Sequence, residues 1–194
     1  MKVLVVFGTR PEAIKMCPVI KKLKEKSNII CRACLTGQHE EMLNQVMETF
    51  DIKSDYNLHV MTERQTLAGV SARIMTGLQE IYEKEKPDVV LVHGDTTSSY
   101  IAAVCAFYQH IPIGHVEAGL RTYQLQSPFP EEFNRQSIDM ISDIYFAPTK
   151  LAQQQLLNEG KNAAHIYVTG NTAPSGSLIT AVIWNGARTA VLYF

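Results

Sequence analysis

The sequence predicts an α/β fold in which a doubly wound parallel sheet carries helices on both faces. Short apolar runs alternate with longer segments of helical periodicity along most of the 194 residues. The runs VLVVF (3–7) and DVVLVH (88–93) are continuously apolar over most of their length, as in parallel strands covered on both faces. Such alternation implies parallel strands joined by right-handed helical crossovers. The chain is long enough for one domain of this kind with a substantial core.

The first half of the chain opens with the apolar run at 3–7, which Gly8 ends because glycine lets the backbone turn tightly. Pro11 suits the first turn of the next helix, where its missing N–H has no cost. Apolar residues at helical spacing follow in two further segments. We predict strands at 3–7, 28–36 and 88–93, and helices at 11–26, 41–50 and 66–85.

The second half repeats the pattern with shorter elements. The segment TSSYIAAVCAFYQH is a helix candidate directly after the strongest strand, and IPIGHVE is a short strand after it. Two further helix–strand alternations bring the chain to residue 170. We predict helices at 97–110, 134–143 and 150–160, and strands at 111–117, 144–148 and 165–170.

Composition excludes several classes of function. With 46% hydrophobic and 19% charged residues and a formal net charge of -1, the chain lacks the basic surface that nucleic-acid binding requires. No apolar run approaches the roughly 20 residues of a membrane span. The N-terminus MKVLVVFGTRPE is too short in its apolar part for a signal peptide. We therefore expect a cytoplasmic protein that does not bind nucleic acid or membranes.

The four cysteines are Cys17, Cys31, Cys34 and Cys105. The spacing of Cys31 and Cys34 is that of a redox motif or half of a zinc site, but the pair lies in a predicted strand and no second pair follows. A redox motif of this spacing normally opens a helix, where the helix dipole lowers the thiol pKa. We expect buried or half-buried free thiols and no metal site, with metal or redox chemistry as the alternative.

The corner after the first strand is a candidate anion site. In open parallel sheets, ligands bind beyond the carboxyl ends of the strands. Thr9 and Glu12 have the spacing of a capping box, which predicts a helix N-terminus with Arg10 at its mouth. A helix N-terminus attracts anions and Arg10 adds a planar fork of donors, with Lys15 one to two turns away. A plain helix cap with surface charges is the alternative.

The corner after the strand at 88–93 carries Asp95. Its place at the end of a central strand favours a catalytic or ligand-binding carboxylate, and a simple helix N-cap is the alternative. His93 lies inside the strand and is interpreted as a hydrogen-bonded core histidine.

The segment from His115 to Gln136 concentrates acidic and basic side chains. Glu117 ends a short strand, and Pro128 and Pro130 disfavour helix at the residues before them, so we predict a loop folded over the sheet edge. Neighbouring strands should bring Asp95 and Glu117 together, and Glu131 reaches the same crevice if the loop folds back. Crowded carboxylates have pKa values pushed apart, as paired acid and base roles require.

Glu131 is followed by Glu132 in this predicted loop. We expect one of the two to lie in solvent without a functional role. The two arginines of the segment, Arg121 and Arg135, are expected to meet an anionic substrate or to hold the loop.

Five motifs in order carry a resemblance to a known family. They are FGTRPEAIKM (7–16), PDVVLVHGDTT (87–97), HVEAGLRT (115–122), PFPEEFNRQ (128–136) and TGNT (169–172). On these residues the chain resembles the non-hydrolysing UDP-N-acetylglucosamine 2-epimerases of bacteria, from the first residue to about residue 172.

The resemblance implies a fold, a reaction and an assembly. The fold would be the Rossmann-like N-terminal domain of a GT-B-type protein, with the active site in the cleft between two domains. Family members interconvert UDP-GlcNAc and UDP-ManNAc by eliminating UDP and adding it back with the opposite configuration at C2. They require no cofactor, are usually homodimers, and supply cell-surface polysaccharide synthesis.

The resemblance also implies site residues. Asp95, Glu117 and Glu131 match the family's catalytic acidic residues, and which of them is base and which acid stays open. Residues that match substrate-binding positions are Arg10, Lys15 and Arg135.

A second, regulatory UDP-GlcNAc site beside the active site is known in bacterial members of the family. Gln38, His39 and Arg64 match positions of that site. Glu41 stands where some members have glutamine, so regulation is not implied as firmly as substrate binding.

The C-terminal segment departs from the family. Residues 1–172 are interpreted as the N-terminal Rossmann-like domain, and 173–194 as a divergent tail at the start of a truncated second domain that is otherwise missing. Within the tail, 177–182 resembles the family's next helix. Three hypotheses follow: the N-terminal half of an epimerase, a catalytically inactive truncated Rossmann domain, or half of a GT-B glycosyltransferase. The motifs argue against the last.

Overall fold

Strands and helices alternate along the computed structural model, which describes residues 1–37, 40–62, 65–170, 180–185 and 188–193. The strands up to residue 170 are β1 Lys2–Phe7, β2 Ile30–Leu35, β3 Tyr56–Asn57, β4 Val89–His93, β5 Ile113–Val116, β6 Ile144–Ala147 and β7 Ile166–Val168. The helices are α1 Arg10–Lys24, α2 Glu40–Thr49, α3 Leu67–Glu85, α4 Thr97–Tyr108, α5 Glu131–Ile141 and α6 Lys150–Asn158, and a short 3-10 helix, Ala163–His165, precedes β7. None of the helices in these ranges is long and apolar enough to cross a bilayer.

The seven strands form one sheet in the order β3-β2-β1-β4-β5-β6-β7, and every neighbouring pair is parallel. From β1 the chain winds outward to β3, and from β4 it winds outward in the other direction to β7. The winding direction therefore reverses between β1 and β4, and the crevice beyond their carboxyl ends is where such sheets bind ligands. The predicted doubly wound parallel sheet is confirmed.

The core has one layer on each face of the sheet. In β1, Val3, Val5 and Phe7 pack in the cluster that includes α1 and α2, whereas Leu4 and Val6 pack in the cluster that includes α3 and α4. All five are fully buried, which explains why the strand reads as a continuous apolar run.

The four thiols behave as predicted. All are free and buried. Burial raises the pKa of Cys17, Cys31 and Cys34 to about 12 and that of Cys105 to about 11, so each stays protonated. Cys31 and Cys34 belong to different core clusters because residues three apart on a strand point to opposite faces. The pair therefore forms no joint site.

Strand β3 and helix α5 differ from the sequence prediction. The two-residue strand β3 has no apolar run to signal it. Helix α5 begins at Glu131, three residues before the predicted start, directly after Pro130. A proline restricts the residue before it and leaves the residue after it free to be helical. Glu131 and Glu132 then lie in the first turn, where the helix dipole favours acidic side chains.

The tail contains an antiparallel pair, β8 Thr180–Asn185 and β9 Arg188–Tyr193. The expected helix at 177–182 is therefore wrong for 180–182, and 177–179 lie outside the described residues. The tail segments are rich in β-branched residues, which favour strands over helices.

Gly119 makes the closest approach between the loop after β5 and helix α6. Its φ is +84°, and a Cβ there would lie 2.4 Å from the Ala152 carbonyl oxygen. Gly160 has a similar φ of +79° but open space around it. Substitutions at these two positions therefore separate the free-energy cost of a left-handed backbone from that of a steric clash.

We expect Gly160→Ala to lower the free energy of unfolding by about 1 kcal/mol through backbone strain alone. Gly119→Ala should cost about 2 kcal/mol more, because the clash with α6 adds to the same strain. Urea denaturation of both variants measures the difference. Equal losses would show that the loop does not depend on this contact.

Candidate active site

Glu12 joins the first two corners of the crevice. Its Oε2 accepts hydrogen bonds from the backbone N–H of Gly8 at 2.9 Å and of Thr9 at 2.7 Å, which completes the predicted capping box. Its Oε1 accepts hydrogen bonds from the hydroxyls of Thr96 at 2.7 Å and Ser99 at 2.8 Å. The side chain is almost fully buried. The corner after β1 is thereby fastened to the corner after β4, a link that the sequence analysis missed.

Arg10 lies at the N-terminus of α1, as predicted, and is exposed. Within the described ranges it makes no hydrogen bond or ion pair. An unengaged guanidinium beside a helix N-terminus is well placed to bind an anion.

Asp95 follows β4 but does not cap helix α4. Thr96 is the N-cap, and its hydroxyl accepts a hydrogen bond from the Ser99 N–H at 3.1 Å. The simple N-cap alternative for Asp95 is therefore wrong. The half-buried Asp95 carboxylate instead pairs with Arg135 of α5. Burial raises the pKa of Asp95, Arg135 opposes the rise, and the negative charges of Glu117 and Glu131 add to it.

Glu117 is the first residue after β5 and has a left-handed backbone, with φ of 69°. Both its own N–H and that of Ala118 donate to the Phe146 carbonyl, at 3.0 and 3.1 Å, which holds this conformation. The carboxylate pairs with Lys15 of α1, and the Nε2 atom of His93 lies 3.4 Å from Oε2. Burial opposes the charge, but His93 and Lys15 outweigh it and lower the pKa of Glu117 to about 2.

Asp95, Glu117 and Glu131 are close enough for the two glutamates to act electrostatically on the aspartate. The pKa of Asp95 is raised and that of Glu117 is lowered, as expected for a pair with different roles, but crowding is a minor cause. Burial is the main cause for Asp95, and the contacts with His93 and Lys15 lower the pKa of Glu117. Glu131 is half-buried at the start of α5, and its Oε2 has no hydrogen-bond partner in the described part of the chain.

Glu132 holds the loop that precedes α5. It is fully buried, and its Oε1 accepts hydrogen bonds from the N–H groups of Thr122 and Tyr123, both at 2.9 Å. Its Oε2 faces Arg135 at 3.4 Å. The expectation that Glu131 or Glu132 lies in solvent without a role is wrong, because helix α5 starts early and carries both side chains inward.

A buried network of side chains around Asp139 supports the same loop. Asp139 of α5 accepts from Gly119 N–H at 3.0 Å and pairs with Arg121 at 2.7 Å. Its other oxygen lies 2.6 Å from His115 Nδ1, and His115 Nε2 lies 2.7 Å from the Gly94 carbonyl oxygen. Arg121, whose side chain is buried, therefore holds the loop and does not face the crevice.

His93 is not the hydrogen-bonded core histidine that its place in a strand suggested. It is 4% exposed, and neither ring nitrogen has a hydrogen-bond partner among the described residues. The sequence contained one signal that His93 belongs to the site: it is the last residue of the strand that leads to Asp95.

Comparison with known proteins identifies the family. A family model described as UDP-N-acetylglucosamine 2-epimerase matches residues 21–182. The chain belongs to the UDP-N-acetylglucosamine 2-epimerase family. A putative UDP-N-acetylglucosamine 2-epimerase of Clostridium acetobutylicum is 51% identical over 172 residues, which are 89% of this chain and 45% of that protein. The chain thus spans about half the length of the curated epimerases it matches.

Solved structures agree with this assignment. The UDP-GlcNAc 2-epimerase from Neisseria meningitidis, solved bound to UDP-GlcNAc, superposes with a TM-score of 0.87 and 51% identity, over 89% of this chain and 47% of that one. A lipopolysaccharide outer core galactosyltransferase superposes with a TM-score of 0.62 at 16% identity, over 88% of this chain and 46% of that one. The latter shows the shared GT-B fold alone.

The residues predicted to form a regulatory site, Gln38, His39 and Arg64, lie outside the described residues. The roles of the other predicted site residues stay predictions. What the structure adds is their arrangement: Lys15 and Arg135 are engaged by Glu117 and Asp95, and Arg10 is open.

We expect Asp139→Asn to lower the free energy of unfolding at pH 7 by about 3 kcal/mol, because it removes the buried negative charge that faces both Arg121 and His115 and leaves Arg121 with Glu159 as its remaining carboxylate. His115 and Arg121 lower the pKa of Asp139 against the effect of burial. The carboxylate therefore stabilises the fold above its unfolded pKa of about 3.9 and loses this effect as pH falls through the lower folded value. Urea denaturation from pH 7 to 3 measures both.

The difference between wild type and Asp139→Asn should shrink as pH falls below about 4. Glu25→Gln is the control, since Glu25 pairs with Lys22 at the surface, where both side chains are 51% exposed. It should change stability by less than about 0.5 kcal/mol. A loss for Asp139→Asn no larger than the control would contradict the importance of the buried network.

Proposed function

We propose that residues 1–170 form one side of the active site of a UDP-GlcNAc 2-epimerase that interconverts UDP-GlcNAc and UDP-ManNAc. We call this side, with Asp95, Glu117 and Glu131, the acid–base wall. The observation that carries the proposal is the cluster of Asp95, Glu117 and Glu131 at the carboxyl ends of β4 and β5, with the pKa values of the first two displaced in opposite directions. Family membership supports the reaction. Because the chain spans about half of its relatives, the activity of the complete protein is part of the proposal.

The chemistry fits the charges of the wall. Eliminating UDP removes the proton from C2 of the sugar and expels the diphosphate from C1, and adding UDP back reverses both events. A general base works best when its pKa lies near the working pH, so Asp95, whose pKa is raised, suits proton removal better than Glu117 in the state seen here. Glu117 stays ionised while Lys15 and His93 face it.

Two basic residues could supply positive charge to the leaving diphosphate. One makes no ion pair within the described part of the chain, and the other is bound to a carboxylate. Arg10 at the α1 N-terminus is open and would stabilise the expelled phosphates. Lys15 is bound to Glu117. If Lys15 turns to the diphosphate, it releases Glu117, so substrate binding and the freeing of a carboxylate become one event. Arg135 is likewise bound to Asp95, so it would release Asp95 if it turned to the diphosphate.

The finer parts of the proposal come from the resemblance. The complete protein would act as a homodimer in the cytoplasm and supply a nucleotide sugar for cell-surface polysaccharide. Gln38, His39 and Arg64 would belong to a regulatory site for UDP-GlcNAc. An inactive Rossmann domain is the competing hypothesis for residues 1–194 on their own.

The test is turnover of UDP-GlcNAc in D₂O, followed by NMR. Elimination and re-addition put deuterium at C2 of both sugars, which no simple binding event does. We expect no turnover by residues 1–194 alone, and turnover by a fusion to the C-terminal half of the Neisseria meningitidis epimerase. A folded fusion protein that neither forms UDP-ManNAc nor exchanges the C2 proton would overturn the proposal.

In that fusion protein, Asp95→Asn, Glu117→Gln and Glu131→Gln should each lower kcat by about 100- to 10,000-fold, because each removes a proton-transferring or charged group from the wall. Glu25→Gln, far from the crevice on the exposed end of α1, should leave kcat unchanged. Initial rates at saturating UDP-GlcNAc measure this. Full activity in the Glu117 variant would remove Glu117 from the wall.

A further inference from the structure

We propose that His93 is a positioning residue for Glu117, with an Nε2–H group that points at the same carboxylate oxygen that Lys15 contacts and helps to hold it. The inference rests on the proposed function for its consequence in catalysis. Its structural content, a hydrogen on Nε2 facing Glu117, can be tested in this chain without any turnover.

The first step is placement. His93 is the last residue of β4 and pairs in register with Val116, the residue before Glu117. The ring is buried, and Nε2 lies 3.4 Å from Glu117 Oε2. That distance is longer than a well-formed hydrogen bond and short enough for a direct electrostatic contact.

The second step is that packing alone does not explain a histidine here. The four other residues of β4 are Val89, Val90, Leu91 and Val92, and all are buried. An aliphatic residue at the next position would need no hydrogen bond, whereas both nitrogens of His93 lack one in the described residues. Buried polar atoms are normally hydrogen-bonded, so an unpaired ring directed at a carboxylate points to a role in the site.

The third step fixes the tautomer. Glu117 Oε2 already accepts a hydrogen bond from Lys15, so it carries no proton to donate. A ring nitrogen that faces it with a lone pair would be repelled, and one that faces it with N–H would be attracted. Nε2 therefore carries the proton.

The fourth step is the backbone of Glu117. A left-handed conformation is uncommon for a residue other than glycine, and it directs this side chain toward β4 and α1. Lys15 comes from a helix and is half-exposed, whereas His93 comes from a buried strand. If the diphosphate takes Lys15 away, His93 is the partner that keeps Glu117 in place.

The groups that face this carboxylate come from four elements. Lys15 on α1 and His93 on β4 attract it, and Asp95 in the next corner repels it. On α5, Glu131 and Arg135 act on the neighbouring Asp95: Glu131 raises its pKa, and Arg135 forms an ion pair with it. A variant that tests His93 must therefore leave the other charged groups in place. A change in the titration of Glu117 can then be attributed to His93 alone.

The matched variants are His93→Gln and His93→Met. Gln has nearly the same length as the histidine ring and carries N–H donors, whereas Met fills the same space without one. We expect Glu117 to titrate about 1 pH unit higher in His93→Met than in wild type, and His93→Gln to stay close to wild type. Carboxyl ¹³C NMR of residues 1–194, with the Glu117 signal assigned from Glu117→Gln, measures this.

The tautomer is measured in the unaltered chain, so the test survives a variant that fails to fold. Long-range ¹H–¹⁵N spectra should show His93 with its proton on Nε2. A proton on Nδ1 alone, or a Glu117 titration that is the same in His93→Met and wild type, would overturn the proposal. Neither result depends on whether the protein is an epimerase.

The consequence in catalysis is tested in the fusion protein. His93→Met should lower kcat by about 10- to 100-fold with little change in KM, because a misplaced carboxylate affects the reaction more than binding. His93→Gln should restore most of the loss. If the wild-type fusion protein is inactive, the proposed function fails while the NMR result stands. If it is active and His93→Met matches it, the positioning role fails.

Discussion

The buried carboxylate of Asp139 is the point on which the rest of the crevice depends. It takes hydrogen bonds or ion pairs from His115 on β5 and from Gly119 and Arg121 in the following loop. A buried charge is tolerated only when it is paired and hydrogen-bonded, so these groups have to meet at one place in the fold. Helix α5 is fixed against the loop by this contact.

The charges in the crevice are balanced by the chain's own residues. Lys15 faces Glu117 and Arg135 faces Asp95, and each pair joins a helix to a strand end. These pairs offset the repulsion that unpaired carboxylates at this spacing would exert on one another. An anionic ligand that binds here would therefore displace Glu117 or Asp95 from its cation. Arg10, at the start of α1, makes no hydrogen bond or ion pair within the described part of the chain.

The parts of the site that sequence reasoning reached are those governed by local rules. The capping box of Thr9 and Glu12 and the positions of Asp95 and Glu117 after strands follow from spacing along the chain. What it missed involves partners distant in sequence. Glu12 also binds residues of α4, and the ring of His93 faces Glu117 instead of a core partner. Such contacts have no local signature, because each residue alone looks like a cap or a core side chain.

The amino-acid sequence by itself determined the doubly wound sheet, the end of it that forms the crevice, and the family to which the chain belongs. Hydrophobic periodicity and five ordered motifs carry that information locally. Only the tertiary structure decided which charges meet: Lys15 with Glu117, Arg135 with Asp95, and Arg121 inside the fold. The physical reason is that the Coulomb energy of two charges depends on the distance between them and on how well water screens them, and the packing of distant segments sets both.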